Sequence, residues 1–245
     1  MKSGRKQESN QEKFHKLARW WDGTATPFAR SWESAKNLFY HDKVASTLDG
    51  ALKRADARHT AYIFALAALM TFIISVIATL ESLEITKYTV DILEEISGTT
   101  LQTDFGNLGA LIVFQYTTVP ITLVFIAIHE LLVYRIARLT GGKGTFGQQF
   151  YLSSLVSLAM AFLSALYLFM ALPCIGILAL LGLVIGSAYL VLYVSPKAYA
   201  RVHGISYVHA FAINIVLLIL RMAALYFISN AMAGLLGIQL VGGSF

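Results

Sequence analysis

Between Thr60 and Leu80 the chain carries no charged residue. A helix needs about 20 apolar residues to cross roughly 30 Å of hydrocarbon, and this run supplies them. Four more runs follow. Leu108–Val133 has His129 and Glu130 near its end, and Phe150–Leu172 is stopped by Pro173. Ile175–Val194 is stopped by Ser195-Pro196, and Ser206–Ser229 is interrupted by Arg221. The sequence therefore predicts an all-α integral membrane protein, a five-transmembrane-helix bundle with spans about 60–80, 108–133, 150–172, 175–194 and 206–229. Composition agrees: 57% of the residues are hydrophobic and 13% charged, against roughly 25% charged in soluble domains. A single cysteine, Cys174, excludes an internal disulfide and a cysteine-rich zinc site.

Lysine and arginine set the expected orientation. Residues 1–58 hold twelve of the nineteen. Arg135, Arg138 and Lys143 fall in the loop after the second span, and Lys197 and Arg201 in the loop after the fourth. The opposite side has Lys87 alone, in a loop 81–107 that also carries Glu81, Glu84, Asp91, Glu94, Glu95 and Asp104. This asymmetry predicts a multi-pass protein with a cytoplasmic N-terminus and a lumenal or extracellular C-terminus. It divides the chain into a cytoplasmic arm (1–58), a membrane domain (59–235) and a short outer tail (236–245).

The arm is polar over residues 1–13 and amphipathic after that. Phe14, Leu17, Ala18 and Trp21 recur at helical spacing. A second helix is expected from Thr26-Pro27, with Thr as cap and Pro in the first helical position. Its apolar stripe is Phe28, Trp32, Ala35 and Phe39. Trp20, Trp21, Trp32 and Phe28, set among lysines and arginines, are the candidate membrane-surface contacts. The competing expectations are that these stripes pack on the bundle or bind a partner.

The segment RIARLTGGKGTFGQQF, Arg135–Phe150, pairs glycines with a lysine. A phosphate-binding G-x-x-x-x-G-K-[ST] loop would need glycine where Ala137 stands, and Ser or Thr where Gly144 stands. The segment also follows an apolar helix rather than a strand. It reads as a tight turn: Gly141 or Gly142 ends one helix in a left-handed conformation, and Thr145 caps the next.

The same segment, followed by two apolar helices and then VHGISYVHAF, resembles the Yip-domain family of five-span membrane proteins. The matching positions are Gly141, Gly142, Gly144, Thr145, Phe146, and Gln148 or Gln149, then His203, Gly204, Ile205, Ser206 and Ala210. The resemblance covers roughly residues 27–230. It implies a protein of Golgi or endoplasmic-reticulum membranes, or an archaeal or bacterial relative, that works in vesicle formation or membrane organisation. It also implies a cytoplasmic arm that docks a protein partner, a small GTPase only in a eukaryotic source. The acidic loop 81–107 is longer than the family leads one to expect.

Arg221 is the outlying polar residue, since an arginine near the bilayer centre costs roughly 2.5–3.5 kcal/mol on insertion scales. At 1.5 Å per residue it lies about 22 Å from the cytoplasmic face, and Glu130 only about 7 Å from it. The expected partner of Arg221 is therefore Glu81 or Glu84, and Glu130 is expected to pair locally with Tyr134 or Arg135. The functional alternative is a polar path through Arg221 and Asn214, which share a helix face. His129-Glu130 begins H-E-x-x-H, but Val133 stands at the second histidine, so no zinc-protease site forms. His129, His203 and His209 lie at similar depth, although solvated interfacial histidines are the commoner case. Small-residue stripes at Ser153, Ser157, Ala161 and Ala165, and at Gly182 and Gly186, point to helix packing within the bundle.

No nucleophile–base pair, metal cluster or nucleotide loop emerges, so the sequence points to a non-enzyme without a cofactor. Lipid, a cytoplasmic protein and homo- or hetero-association are the expected partners, and nucleic acid is not among them. A trafficking or membrane-organising scaffold is the leading expectation. The competing one is a small transporter or channel using Arg221, Asn214 and Glu130. A cavity joining those residues would favour transport, and a sealed dry bundle would favour the scaffold.

Overall fold

The computed structural model describes residues 29–97, 108–169, 172 and 175–235. Trp20, Trp21, Phe28 and the expected outer tail 236–245 lie outside the described residues. For Glu81 and Glu84 the helix backbone is described and the side chains are not. Among the described residues all regular structure is helical. Five helices are long and apolar enough to cross a membrane, over Ala57–Ala78, Pro120–Leu139, Phe146–Phe169, Ile175–His203 and Tyr207–Met232.

Two short helices come first, α1 (29–37) and α2 (Val44–Leu52). Helix α3 runs from Ala57 to Ser97, 41 residues, which at 1.5 Å per residue is about 60 Å. The acidic stretch expected as a loop thus continues the helix as far as Ser97. Neither glycine nor proline occurs between Ala57 and Ser97, so nothing in the chain breaks the ladder there. Asp56 starts this helix, accepting the Arg58 N–H at 2.7 Å.

Helix α4 spans Leu108–Leu139 with Pro120 inside it. Helix α5 spans Phe146–Ser164 and tightens into a 3-10 turn over Ala165–Phe169. Thr145 caps α5 in a capping box with Gln148, as the turn chemistry predicts.

The expected stop at Ser195-Pro196 does not occur. Helix α6 (Ile175–Tyr189) passes through a π-helical turn, Leu190–Val194, directly into α7 (Ser195–His203). Proline lacks an N–H and its ring crowds the carbonyl one turn earlier. A wider turn relieves the crowding and leaves carbonyls to be satisfied by other groups. Here side chains supply the donors. Ser195 Oγ donates to the Leu190 carbonyl at 3.0 Å, Asn214 Nδ2 to that of Val191 at 2.9 Å, and the Tyr207 hydroxyl to that of Leu192 at 2.8 Å. Helix α8 (Tyr207–Leu235) completes the fold.

Helix α3 lies along α5, α4 lies along α8, and α7 contacts both α5 and α8. Two apolar clusters result. One joins α3, α5 and the α6–α7 junction through Ile63, Leu152, Leu155, Leu190 and Val194. The other joins α4, α7 and α8 through Val133, Tyr199, Ala210 and Leu217. The small-residue stripes serve this packing: a Cβ on Gly186 would come within 2.8 Å of Leu163.

The arm belongs to the first cluster. Ala35, Leu38, Val44, Leu48 and Ala51 are fully buried in it, and Arg201 Nη1 reaches Asp49 at 2.6 Å. Bundle packing, the competing expectation, is therefore what residues 35–51 do. Trp32 rests edge-on against Phe162 with ring centroids 3.9 Å apart, yet keeps 43% of its surface exposed. The bundle's outer surface presents Ile177, Leu178, Ile185, Ile219 and Phe227. That surface suits hydrocarbon and not water.

Candidate functional site

The glycine turn is where the site begins. Gly141 has φ 93° and Gly204, at the end of α7, φ 65°, so each turns the chain in a region that side chains rarely adopt. Gly142 and Gly144 are needed for proximity instead. A Cβ on Gly142 would lie 2.6 Å from the Ala137 carbonyl and 2.9 Å from His203 Cβ, and one on Gly144 would strike Val202. The loop thus seats on the end of α7, where the Lys143 N–H donates to the His203 carbonyl at 3.0 Å. Phe146 stacks on Phe150 and meets Tyr134 edge-on. Gly142, Gly144 and His203, three of the positions that carry the resemblance, meet in one joint between the α4–α5 loop and α7.

From that joint a hydrogen-bonded chain runs into the bundle. His203 Nε2 pairs with Gln149 Oε1 at 2.8 Å. Gln149 Nε2 donates to the Glu130 carbonyl at 2.7 Å and to its carboxylate Oε2 at 2.8 Å. The Tyr199 hydroxyl donates to Glu130 Oε1 at 2.7 Å. Gln149, Glu130, Tyr199 and His203 are all buried. Local geometry explains the set, because Tyr199 and His203 are four apart on α7 and share a face, while Gln149 sits in the first turn of α5. Glu130 does not pair with Tyr134 or Arg135 as expected. Its partners come from α5 and α7, brought near by the joint.

Deeper in the bundle, Glu130 and Tyr199 border a cavity of about 250 Å³. Its other polar walls include His129, Ser153, Ser157, Ser195, Asn214 and Arg221, and apolar ones include Ile126, Val156 and Leu218. Arg221 and Glu130, which depth counting separates, therefore border one space, since α4 lies along α8. At the joint one buried atom, His203 Nδ1, lacks a hydrogen-bond partner, and the cavity has three such atoms. Arg221 Nε, His129 Nδ1 and Ser153 Oγ are buried without a hydrogen-bond partner. Among the described residues no carboxylate lies within ion-pair distance of Arg221. The expected tie from Arg221 to Glu81 or Glu84 rests on side chains outside the described residues.

The arrangement can hold a polar molecule. A guanidinium offers five donors in a planar fork suited to oxyanions. Glu130 and the Asn214 carbonyl oxygen supply acceptors, and the serines can do either. Among the described residues no group of histidines and carboxylates forms a metal site. The three histidines do not converge. His129 borders the cavity, His203 belongs to the joint, and His209 meets Ser206 at 3.2 Å, an exposed contact in which Ser206 also accepts the His209 N–H. That contact caps α8.

Asn214 proves to be structural on one side, through the Val191 carbonyl, and a cavity wall on the other. Gln149 and Tyr199 were not singled out by sequence reasoning beyond the glutamine motif position. The available signal was the i, i+4 pairing of Tyr199 with His203, hidden by taking Pro196 as a helix end. No protein-family model, no curated protein and no solved structure matches the chain.

Proposed function

We propose that this chain is a non-catalytic, multi-pass membrane protein that binds a small polar molecule inside its helix bundle, as a carrier or a receptor. One observation carries this: an arginine whose Nε is buried without a hydrogen-bond partner borders a cavity that Glu130, His129 and Asn214 also line. Ionisable groups within membrane spans are costly and mark ligand or ion pathways. The cost is offset when a ligand supplies what the protein withholds.

The test uses the single native cysteine. In a Cys174→Ser background, Ser157→Cys places a thiol in the cavity wall. A small water-soluble thiol reagent is expected to modify it in the folded protein. Modification only after unfolding would contradict a ligand-accessible cavity.

A second reading is the membrane-organising scaffold of the Yip-domain type, favoured by the joint that Gly142, Gly144, Phe146 and His203 build and by the arm packed beside it. In that reading the basic end of the bundle is cytoplasmic and its arm recruits a protein partner. Proximity labelling from residues 1–28 in native membranes tests it: a recurring soluble partner supports recruitment, and labelling of lipid-embedded neighbours alone contradicts it.

A further inference from the structure

Counted with His129 uncharged and Glu130 ionised, the cavity is lined by one cation, Arg221, and one anion, Glu130, and no direct ion pair joins them. They project from α8 and α4 into the same space. Glu130 is fixed from behind by Tyr199 and Gln149, each of which occupies one carboxylate oxygen and leaves further lone pairs open. Arg221 has an unpartnered N–H. In a low-dielectric interior an uncompensated charge is expensive. A simple anion bound at Arg221 would leave the cavity with one net negative charge, and a simple cation at Glu130 would leave one net positive. A molecule bearing both charges satisfies both walls and leaves the cavity neutral.

We propose that the cavity binds a small zwitterion, its oxyanion on the Arg221 guanidinium and its ammonium toward Glu130. This rests on the reading of the cavity as a polar ligand site. The volume, about 250 Å³, falls below the roughly 300–1,000 Å³ of drug-sized pockets, so the occupant is small. Two sources share this chemistry: a free solute of the amino-acid type, and the headgroup of a zwitterionic phospholipid entering between helices.

The experiment measures the modification rate of Ser157→Cys, in the Cys174→Ser background, by an uncharged methanethiosulfonate reagent at neutral pH. In lipid-free detergent, glycine or glycerophosphoethanolamine is expected to slow the reaction at least tenfold. Acetate and methylammonium, each carrying half the charge pattern, are expected to leave it unchanged. Protection by phosphatidylethanolamine vesicles and not by phosphatidylglycerol vesicles, with free solutes inert in detergent, assigns the site to a lipid headgroup and supports the same chemistry.

Arg221→Gln and Glu130→Gln are each expected to abolish the protection. Should either variant fail to fold, the ligand panel on the otherwise unaltered chain still decides. Protection by acetate or methylammonium equal to that by glycine overturns the zwitterion and leaves the accessible cavity standing. An equal rate under every condition does the same. A thiol that never reacts in the folded protein removes the cavity reading, and the zwitterion with it.

Discussion

Two polar regions meet at Glu130 and Tyr199, and they differ in how far their groups are satisfied. At the joint, His203, Gln149, Glu130 and Tyr199 link by hydrogen bonds of 2.7–2.8 Å that leave only His203 Nδ1 among their buried side-chain atoms unpartnered, and two glycines bring the backbones into contact. At the cavity, Arg221, His129 and Ser153 keep buried atoms without partners. Buried polar groups are ordinarily satisfied, and each exception calls for a reason. The joint is what a bundle needs in order to close. The cavity is a cost carried by the fold that the fold does not need.

The largest expected effect strikes the joint. Gly144→Val, whose side chain would overlap Val202, is expected to cost about 3 kcal/mol or more, read as loss of the monodisperse peak on size-exclusion chromatography. Gly147→Ala is its control. A Cβ there meets nothing within 4 Å, and replacing a helical glycine is worth about 0.5–1 kcal/mol in the stabilising direction. Equal losses at both positions would show that close approach to α7 is not what requires glycine at position 144.

Next comes Gln149→Leu, which strips a donor from Glu130 and an acceptor from His203. Leaving buried partners unmet costs about 1–3 kcal/mol, measured as a lowered melting temperature in detergent. Asn214→Leu orphans the Val191 carbonyl at the π turn and is expected to cost about 1 kcal/mol. A larger loss than at Gln149 would mean that the π turn, and not the joint, holds the bundle.

The smallest effect lies outside the spans. The Asp56 carboxyl is held below its ordinary value, first by the His59 hydrogen bond and then by the Arg58 N–H. A depressed carboxyl contributes stability above its unfolded value and loses it as pH falls through the folded one. The melting difference between the native chain and Asp56→Asn should therefore be present at neutral pH and shrink below pH about 4. A difference that grows in acid would reverse the sign.

Much of this architecture was legible in the residues. Apolar runs marked five helices because hydrocarbon admits nothing else of that length. Gly141 and Thr145 marked a turn because the backbone conformation and the cap are local properties. What stayed hidden was non-local. Pro196 reads as a stop when only its own chain is considered, yet Asn214 and Tyr207 on another helix satisfy the carbonyls it frees. Depth counting separated Arg221 from Glu130 because it takes helices as vertical rods with ends where hydropathy changes. In the bundle α4 extends to Leu139 and lies along α8, and both side chains reach one cavity. The partners of Glu130 depended on how the joint folds, which no local pattern encodes.

The most direct test of the contrast is the melting temperature of Arg221→Met in detergent. If the arginine is kept for a ligand, a flexible apolar side chain of similar length removes a desolvated cation and, among the described residues, no direct hydrogen bond or ion pair, and Glu130, left without a facing cation, can take up a proton. The protein should then melt at the same temperature or higher, while the zwitterion no longer protects the cavity thiol. A fall as large as that of Gln149→Leu would show that Arg221 holds the fold together, and the cavity would lose its claim to be a site.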